Sequence, residues 1–410
     1  MERGPAAGEV QLLDGYFVHF TAPEKLTPMA KHVVFVLDTS GSMRHRKMHQ
    51  TIAAMVTILG DMRPEDSLTI VSFATEVRVW EGGSVVAASE DNIARAVRYV
   101  ETLEAKGETN INGALLRALE ILQEVRDTGA RSELQPMVFF LTDGHPTVGE
   151  TDTLAILDNI KTANANIGAP IFSLAFGRRT DFQMLRLLSV QNHGFARKIY
   201  TAADASLQMA GFYKEVSSPI LSNVTFDYLS SDIIHDSLTE TAFHTFYQGG
   251  EMVVAGMVDT HQHAVDTMVM PVFEVRHFTM EYIYIYIYNL STIIVNHAQY
   301  EITAHHTGGE FHATGDTVVA VETETVDTYI DLVPSFNMSS YNYMERMWAY
   351  LSVHALLRRV ERGELYSCAP EPRQASYQVC AVLCILRHVR TGASMCQAGT
   401  KTLISQAASC

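Results

Sequence analysis

The chain has 410 residues, of which 47% are hydrophobic and 19% charged, with a formal net charge of −16. This is the composition of a globular chain of two or three domains rather than a disordered one. The acidic excess argues against sequence-independent binding to nucleic acid, since no surplus of Lys and Arg displaces counterions from phosphates, and no uninterrupted apolar run is long enough to cross a membrane.

Residues 9–20, EVQLLDGYFVHF, carry a strand-like apolar and aromatic pattern, and a Pro-containing link leads from them to Lys31. The run Val33, Val34, Phe35, Val36, Leu37 reads as a strand buried on both faces. It ends in three oxygen-bearing side chains, Asp38, Ser40 and Ser42. Two readings fit them: alternate residues of a strand-end loop converging on a hard cation such as Mg²⁺, or a helix N-cap. Met48, Ile52, Met55, Leu59 and Met62 then fall at helical spacing, ahead of Pro64. Next, Ser67–Phe73 and Glu76–Trp80 lie close enough in sequence for an antiparallel hairpin, which places one strand against the direction of the others.

Ile93, Val97, Val100 and Leu103 mark a second helix. The loop KGETNING opens a third, on which Ala114, Leu115, Ala118, Leu119 and Leu122 face inward. The apolar run Met137–Leu141 leads directly into Thr142, Asp143 and Gly144. A helix over Thr153–Ala163, a strand over Pro170–Phe176 and a helix over Phe182–Val190 follow, then a short strand from about Ile199 and a helix over Ala205–Lys214. Strand and helix alternate in this way in a doubly wound, mostly parallel α/β sheet, here assigned to residues 31–216. Ligands of such sheets bind outside the carboxyl ends of the strands, where Asp38, Ser40, Ser42 and Asp143 fall.

The break Ser217-Ser218-Pro219 introduces a different pattern. Strand-like runs at Val224–Tyr228, Phe243–Tyr247, Met252–Met257, Met268–Val275, Thr317–Thr323 and Thr328–Leu332 suggest a β-sandwich over 217–340. Residues 1–30 are expected to supply lead-in strands that pair with it, which makes the α/β domain an insertion. Residues 282–288, YIYIYIY, have the composition of an aggregation hazard. Alternating TAT and ATA codons encode such a repeat, so an insertion from a read-through TA tract is expected at about 282–299; the alternative is a true strand. A helix is expected over 341–366, where Met344, Met347, Trp348, Leu351 and Leu356 recur at helical spacing. The tail 367–410 lacks periodicity and holds all five cysteines, Cys368, Cys380, Cys384, Cys396 and Cys410, at spacings that match no zinc pair.

Two further oxygen donors stand at equivalent loops. Thr109 begins a helix, and Asp143 ends a buried strand. With Asp38, Ser40 and Ser42 they make two carboxylates and three hydroxyls, a set suited to octahedral Mg²⁺ or Mn²⁺ that keeps waters and leaves one position open. This arrangement resembles the von Willebrand factor A domain and its metal-ion-dependent adhesion site. Longer stretches, DGYFVHFTAPEKLTPMAKHVVFVLDTSGSM, GDMRPEDSLTIVSF, GETNINGALLRALEIL and NHGFARKIYTAADASLQMAGFYKEVSSPIL, are similar to inter-alpha-trypsin inhibitor heavy chains, with a weaker return at YMERMWAYLSVHALL. The resemblance implies direct contact of the Ser and Thr oxygens with the ion, and contact of one or both Asp through water. It also implies a secreted plasma or matrix protein, association with hyaluronan or chondroitin sulfate, and a Kunitz-type light chain that carries the protease inhibition.

Some features depart from that pattern. The start MERGPAAGEV has no signal-peptide core, so a fragment or truncated gene model is expected, and no Asp-Pro occurs to support the family's covalent ester link. Asn223, Asn289 and Asn337 begin glycosylation sequons that matter only in a secreted chain. His145, His261, His263, His305 and His306 are expected to be surface residues rather than ligands. No phosphate-cradling loop or familiar hydrolase motif is present, which favours a binding protein over an enzyme. The rival reading is an intracellular interaction protein with the same domain.

Overall fold

The computed structural model describes residues 8–258, except 14, 24–25, 84, 130–132, 178–179, 201–203, 230–232, together with 292–306, 309–322 and 343–363. Two strands come first, β1 (Glu9–Leu13) and β2 (Tyr16–Thr21), paired antiparallel. β3 (Lys31–Asp38) is buried along its whole length. Val33, Phe35 and Leu37 enter one core while Val34 and Val36 enter another, the two-residue period of a strand covered on both faces.

The chain continues through α1 (Arg46–Gly60), β4 (Ser67–Phe73), β5 (Val77–Val79), β6 (Val86–Ala87), α2 (Glu90–Glu101) and α3 (Ile111–Asp127). It then forms β7 (Gln135–Thr142), α4 (Thr153–Asn164), β8 (Ile171–Phe176), α5 (Phe182–Gln191), β9 (Ala196–Ile199) and α6 (Ala205–Val216). These strands make a seven-stranded sheet in the order β5-β4-β3-β7-β8-β9, with β6 also paired to β4. All are parallel except β5 and β6, which pair antiparallel with β4. α1, α2 and α6 pack on one face and α3, α4 and α5 on the other, so the sheet is doubly wound as the alternation implies. The hairpin strand is shorter than its sequence suggests. Trp80 leaves β5 for a short turn in which Glu81 and Gly82 adopt positive φ, and the buried indole stacks on Tyr99 instead of extending the ladder.

β10 (Pro219–Tyr228), β11 (Ile233–Ile234), β12 (Ala242–Tyr247), β13 (Met252–Val258), β14 (Thr292–His306), β15 (Gly309–Glu322) and α7 (Tyr343–Glu361) follow. They form two four-stranded sheets with the first strands, ordered β1-β2-β13-β11 and β12-β10-β14-β15. Phe17, Leu221, Val224, Phe226, Val254 and Ile302 fill the core between them. β2 pairs with β13 from Tyr16↔Met257 to Thr21↔Met252, so strands from opposite ends of the α/β segment share one sheet. The chain enters and leaves that segment at adjacent points, where the Met29 amide donates to the Pro219 carbonyl at 2.7 Å. α7 lies on the outer face of β2 and β13, anchored by Trp348, whose Nε1 donates to Ser237 O at 2.8 Å. Residues 292–299 form the first half of β14; 282–291, the runs 268–275 and 328–332, and the tail with its cysteines lie outside the described residues.

Candidate metal centre

From β3 the chain moves to β4 on one side and, later, to β7 on the other, so the sheet's switch point is the crevice between the carboxyl ends of β3 and β7. The parallel register Leu37↔Leu141 sets Asp38 beside Thr142 there. Thr142 Oγ1 donates to Asp38 Oδ2 at 2.5 Å, and the Ser40 amide donates to Oδ1 at 2.7 Å. Asp38 is fully buried. Desolvation pushes its carboxyl up to about 6, against the pull of the Thr142 and Ser40 hydrogen bonds and with a further push from the Asp143 charge.

A chain of oxygens leads from this floor to the surface. Ser40 Oγ and Ser42 Oγ are 2.8 Å apart, and Ser42 Oγ donates to Asp143 Oδ1 at 2.6 Å. Ser40 and Asp143 are buried while Ser42 is exposed, so the group opens to solvent at Ser42. Thr109 closes the far side. Its amide donates to Thr147 Oγ1 at 2.8 Å and its carbonyl accepts from the Thr147 amide at 2.9 Å. A Cβ placed on Gly144 would stand 3.5 Å from both Ser42 Oγ and Thr109 Oγ1, so the absence of that carbon leaves room between the two hydroxyls.

The loops are laced together by their backbones. Gly41 N donates to Gly107 O at 2.9 Å and Lys106 N to Thr39 O at 2.8 Å. Gly107 has φ +83°, and a Cβ there would meet Thr75 Oγ1 at 2.8 Å. Asn110 caps α3 by accepting from the Gly113 amide at 3.0 Å, which fixes the helix start next to Thr109. Asp38, Ser40, Ser42, Thr109 and Asp143 thus lie within one laced group of loops.

Two neighbours are absent from the sequence-derived set. Thr142 orients Asp38, and it stands one residue before Asp143 in LTDG. Lys47 in the first turn of α1 holds Asp143 Oδ2 through its Nζ and also donates to Ser42 O at 3.3 Å. Its signal is a cation at a helix N-terminus, where the helix dipole disfavours one. The remaining candidates lie elsewhere. His145 is exposed at the rim, His305 is exposed on β14, and Asn223 is exposed at a register shift of β10 with φ +51°. Asn289, Asn337, His261 and His263 are outside the described residues.

The side-chain groups that Asp38, Ser40, Ser42, Thr109 and Asp143 bring here are oxygens, the donor type taken by hard cations, with the Lys47 ammonium set against Asp143 beside them. Among the described residues no group of three or more His, Cys, Asp or Glu side chains is placed to hold an ion.

Residues 32–215 match the von Willebrand factor type A domain. Inter-alpha-trypsin inhibitor heavy chain H2 of Homo sapiens is 41% identical over 263 residues, 63% of this chain and 27% of that protein. The same heavy chain of Mesocricetus auratus is 35% identical over 358 residues, 87% of this chain and 33% of that protein. The chain is similar to the inter-alpha-trypsin inhibitor heavy chains. It spans a third or less of the length of these two relatives. A solved von Willebrand factor type A protein from Catenulispora acidiphila shares the fold at TM-score 0.54 and 16% identity, covering 97% of this chain and 86% of that one. Among the described residues no helix is long and apolar enough to cross a membrane.

Proposed function

We propose that this chain is a non-enzymatic, divalent-cation-dependent binding protein of the extracellular matrix. The observation that carries the reading is the convergence of Asp38, Ser40, Ser42, Thr109 and Asp143 oxygens, from three loops, at the switch point of a rigid sheet. These residues would hold Mg²⁺ or Mn²⁺, directly or through water. The ion supplies a Lewis-acidic position that an acidic side chain of a partner protein completes. Asp38 is kept in place by Thr142 and the Ser40 amide, Ser42 presents the open side, and Asp143 is tied to Ser42.

Relatedness to the heavy chains extends the reading to hyaluronan or chondroitin sulfate and a Kunitz-type light chain as partners in a secreted assembly. The exposed Asn223 in a β10 bulge is the described sequon open to glycan attachment. Glycan on Asn223 in protein purified from its native source would support secretion, and an unmodified Asn223 in that material would favour the intracellular alternative.

The test of the metal reading uses Mn²⁺ alone as probe, with free ion counted by electron paramagnetic resonance. The parent chain should bind one Mn²⁺ that Mg²⁺ displaces, and Asp38→Ala or Asp143→Ala should abolish that binding with the far-UV circular dichroism unchanged. Equal Mn²⁺ binding by parent and both variants would end the proposal.

A further inference from the structure

Lys47 is a side chain that the rules of its own helix do not explain. α2, α3, α4, α5 and α6 each begin with a side chain that caps a backbone amide. α1 does not. Its N-cap is His45, a non-glycine residue at φ +64° with no side-chain cap bond, and its first turn holds Arg46 and Lys47 and no acidic residue. Cations at the positive end of a helix dipole and a side chain in the left-handed region both cost stability. A sequence that breaks several local rules at one point is commonly serving a site.

The site served is Asp143. The Lys47 ammonium engages Oδ2 of this buried carboxylate while Ser42 Oγ engages Oδ1, so both oxygens of the candidate ligand already have partners from this chain. The Lys47 stem runs past Gly177, where a Cβ would come within 3.7 Å of Lys47 Cε, and Gly177 has φ +95°. The Lys47 side chain remains 30% exposed, so its flexible four-carbon stem has an exit to water.

Charge then decides what happens when a divalent cation arrives. Asp38 and Asp143 bring two carboxylates to the site, and the Lys47 ammonium is paired with one of them. A dication and the ammonium on one carboxylate would repel at close range in a partly buried setting, where screening is weak.

We propose that Lys47 is a built-in competitor at this centre: its ammonium holds Asp143 and must give up that carboxylate for a divalent cation to take it. The inference rests on the metal reading above. Lys47 sets how much free cation is needed to load the site, and it is left at the rim once displaced.

The experiment compares the full chain with Lys47→Met, which keeps the stem's bulk without the charge, and Lys47→Arg, which keeps the charge. Mn²⁺ alone is titrated at neutral pH and the free ion counted by electron paramagnetic resonance. Lys47→Met should bind Mn²⁺ about two- to fivefold more tightly than the parent, the range expected when a partly exposed ion pair no longer competes, and Lys47→Arg should bind about as the parent does. A folded Lys47→Met that binds no more tightly than the parent overturns the competitor and leaves the metal reading intact; absence of Mn²⁺ binding by both overturns both.

A second measurement needs no variant. Amine labelling of the parent chain, read by mass spectrometry at Lys47, should rise several-fold when Mg²⁺ is added. Labelling that stays level or falls, in a chain that binds Mn²⁺, overturns the proposal.

Discussion

The two ends of β3 each bury charge, and they do so in opposite ways. At its start, Lys31 is buried with its ammonium on Asp66, while Arg63 NH2 donates to the other Asp66 oxygen at 3.0 Å. Asp66 also accepts from the Lys31 and Arg63 amides, both at 3.2 Å, and Arg63 bonds the Pro28 and Met29 carbonyls at 3.1 and 2.6 Å. Desolvation lowers the Lys31 pKa, with the Asp66 charge and hydrogen bond opposing it. At the end of the strand, two carboxylates meet hydroxyls and one partly exposed ammonium. A buried charge closed by fixed counter-charges holds structure together; one surrounded by neutral oxygens, with negative charge in excess and an open side, is suited to taking a cation from solution.

The sharpest way to break this comparison is at the closed end. Asp66→Ala leaves Lys31 buried without its counter-charge and should cost about 3–5 kcal/mol, seen as a lower urea midpoint. Mn²⁺ affinity of the protein that remains folded should not change; a loss of affinity would mean that the two ends are not independent. The next largest effect belongs to the open end. Mg²⁺ at about a hundred times its dissociation constant should raise stability by about 2.7 kcal/mol. Asp143→Ala should erase that gain, and a melting temperature indifferent to Mg²⁺ in the parent chain would contradict the assignment.

The contrast also explains what the sequence reveals. Strand β3 is legible because five apolar residues in a row, Val33 to Leu37, fit only a strand covered on both faces. The five candidate ligands are legible because each stands at a strand end or helix start, and the sheet's topology does the gathering. Thr142 is harder to read. Its role depends on the β3–β7 register, a long-range fact that no local spacing encodes. The Lys31–Asp66–Arg63 cluster was not visible either, since a Lys at the head of an apolar run reads as a solvated end. The strand β5 ends at Val79 rather than Trp80 because the indole finds Tyr99, a tertiary preference that overrides strand propensity.

A third ionisable group tests the comparison where the charges acting on it, those of His193 and Arg362, are positive. His244 on β12 stacks on His193, ring centroids 4.1 Å apart and planes at 13°, where the sandwich meets the α/β sheet. Its Nδ1 is 2.9 Å from Thr245 Oγ1. Desolvation first, then the charges of His193 and Arg362, lower its pKa from 6.5 to about 4, opposed by a backbone hydrogen bond involving Gly168. Because the folded state holds the proton less tightly than the unfolded chain, the stability contributed is complete above about 6.5 and is lost as pH falls through about 4. Allowing for partial exposure, the loss is roughly 1–2 kcal/mol. His244→Phe keeps a ring for the stack and should flatten unfolding midpoints measured between those pH values; an unchanged slope would place the acid sensitivity elsewhere.

The smallest expected effect bears on how rigid the open end must be. Asn110 caps α3 one residue after Thr109, and a Cβ on Gly149, which has φ +74°, would come within 2.7 Å of Asn110 Oδ1. The cap and the Gly149 turn are therefore fitted to each other. Asn110→Ala should cost about 1 kcal/mol of stability, the usual worth of an N-cap. If Thr109 is positioned by this helix start, Mn²⁺ affinity should also fall, by a few-fold, whereas a cap lost from α4 by Asp152→Ala should cost similar stability and leave affinity unchanged. Equal effects of the two variants on affinity would show that the Thr147 contacts alone place Thr109, and that the open end tolerates movement which the closed end does not.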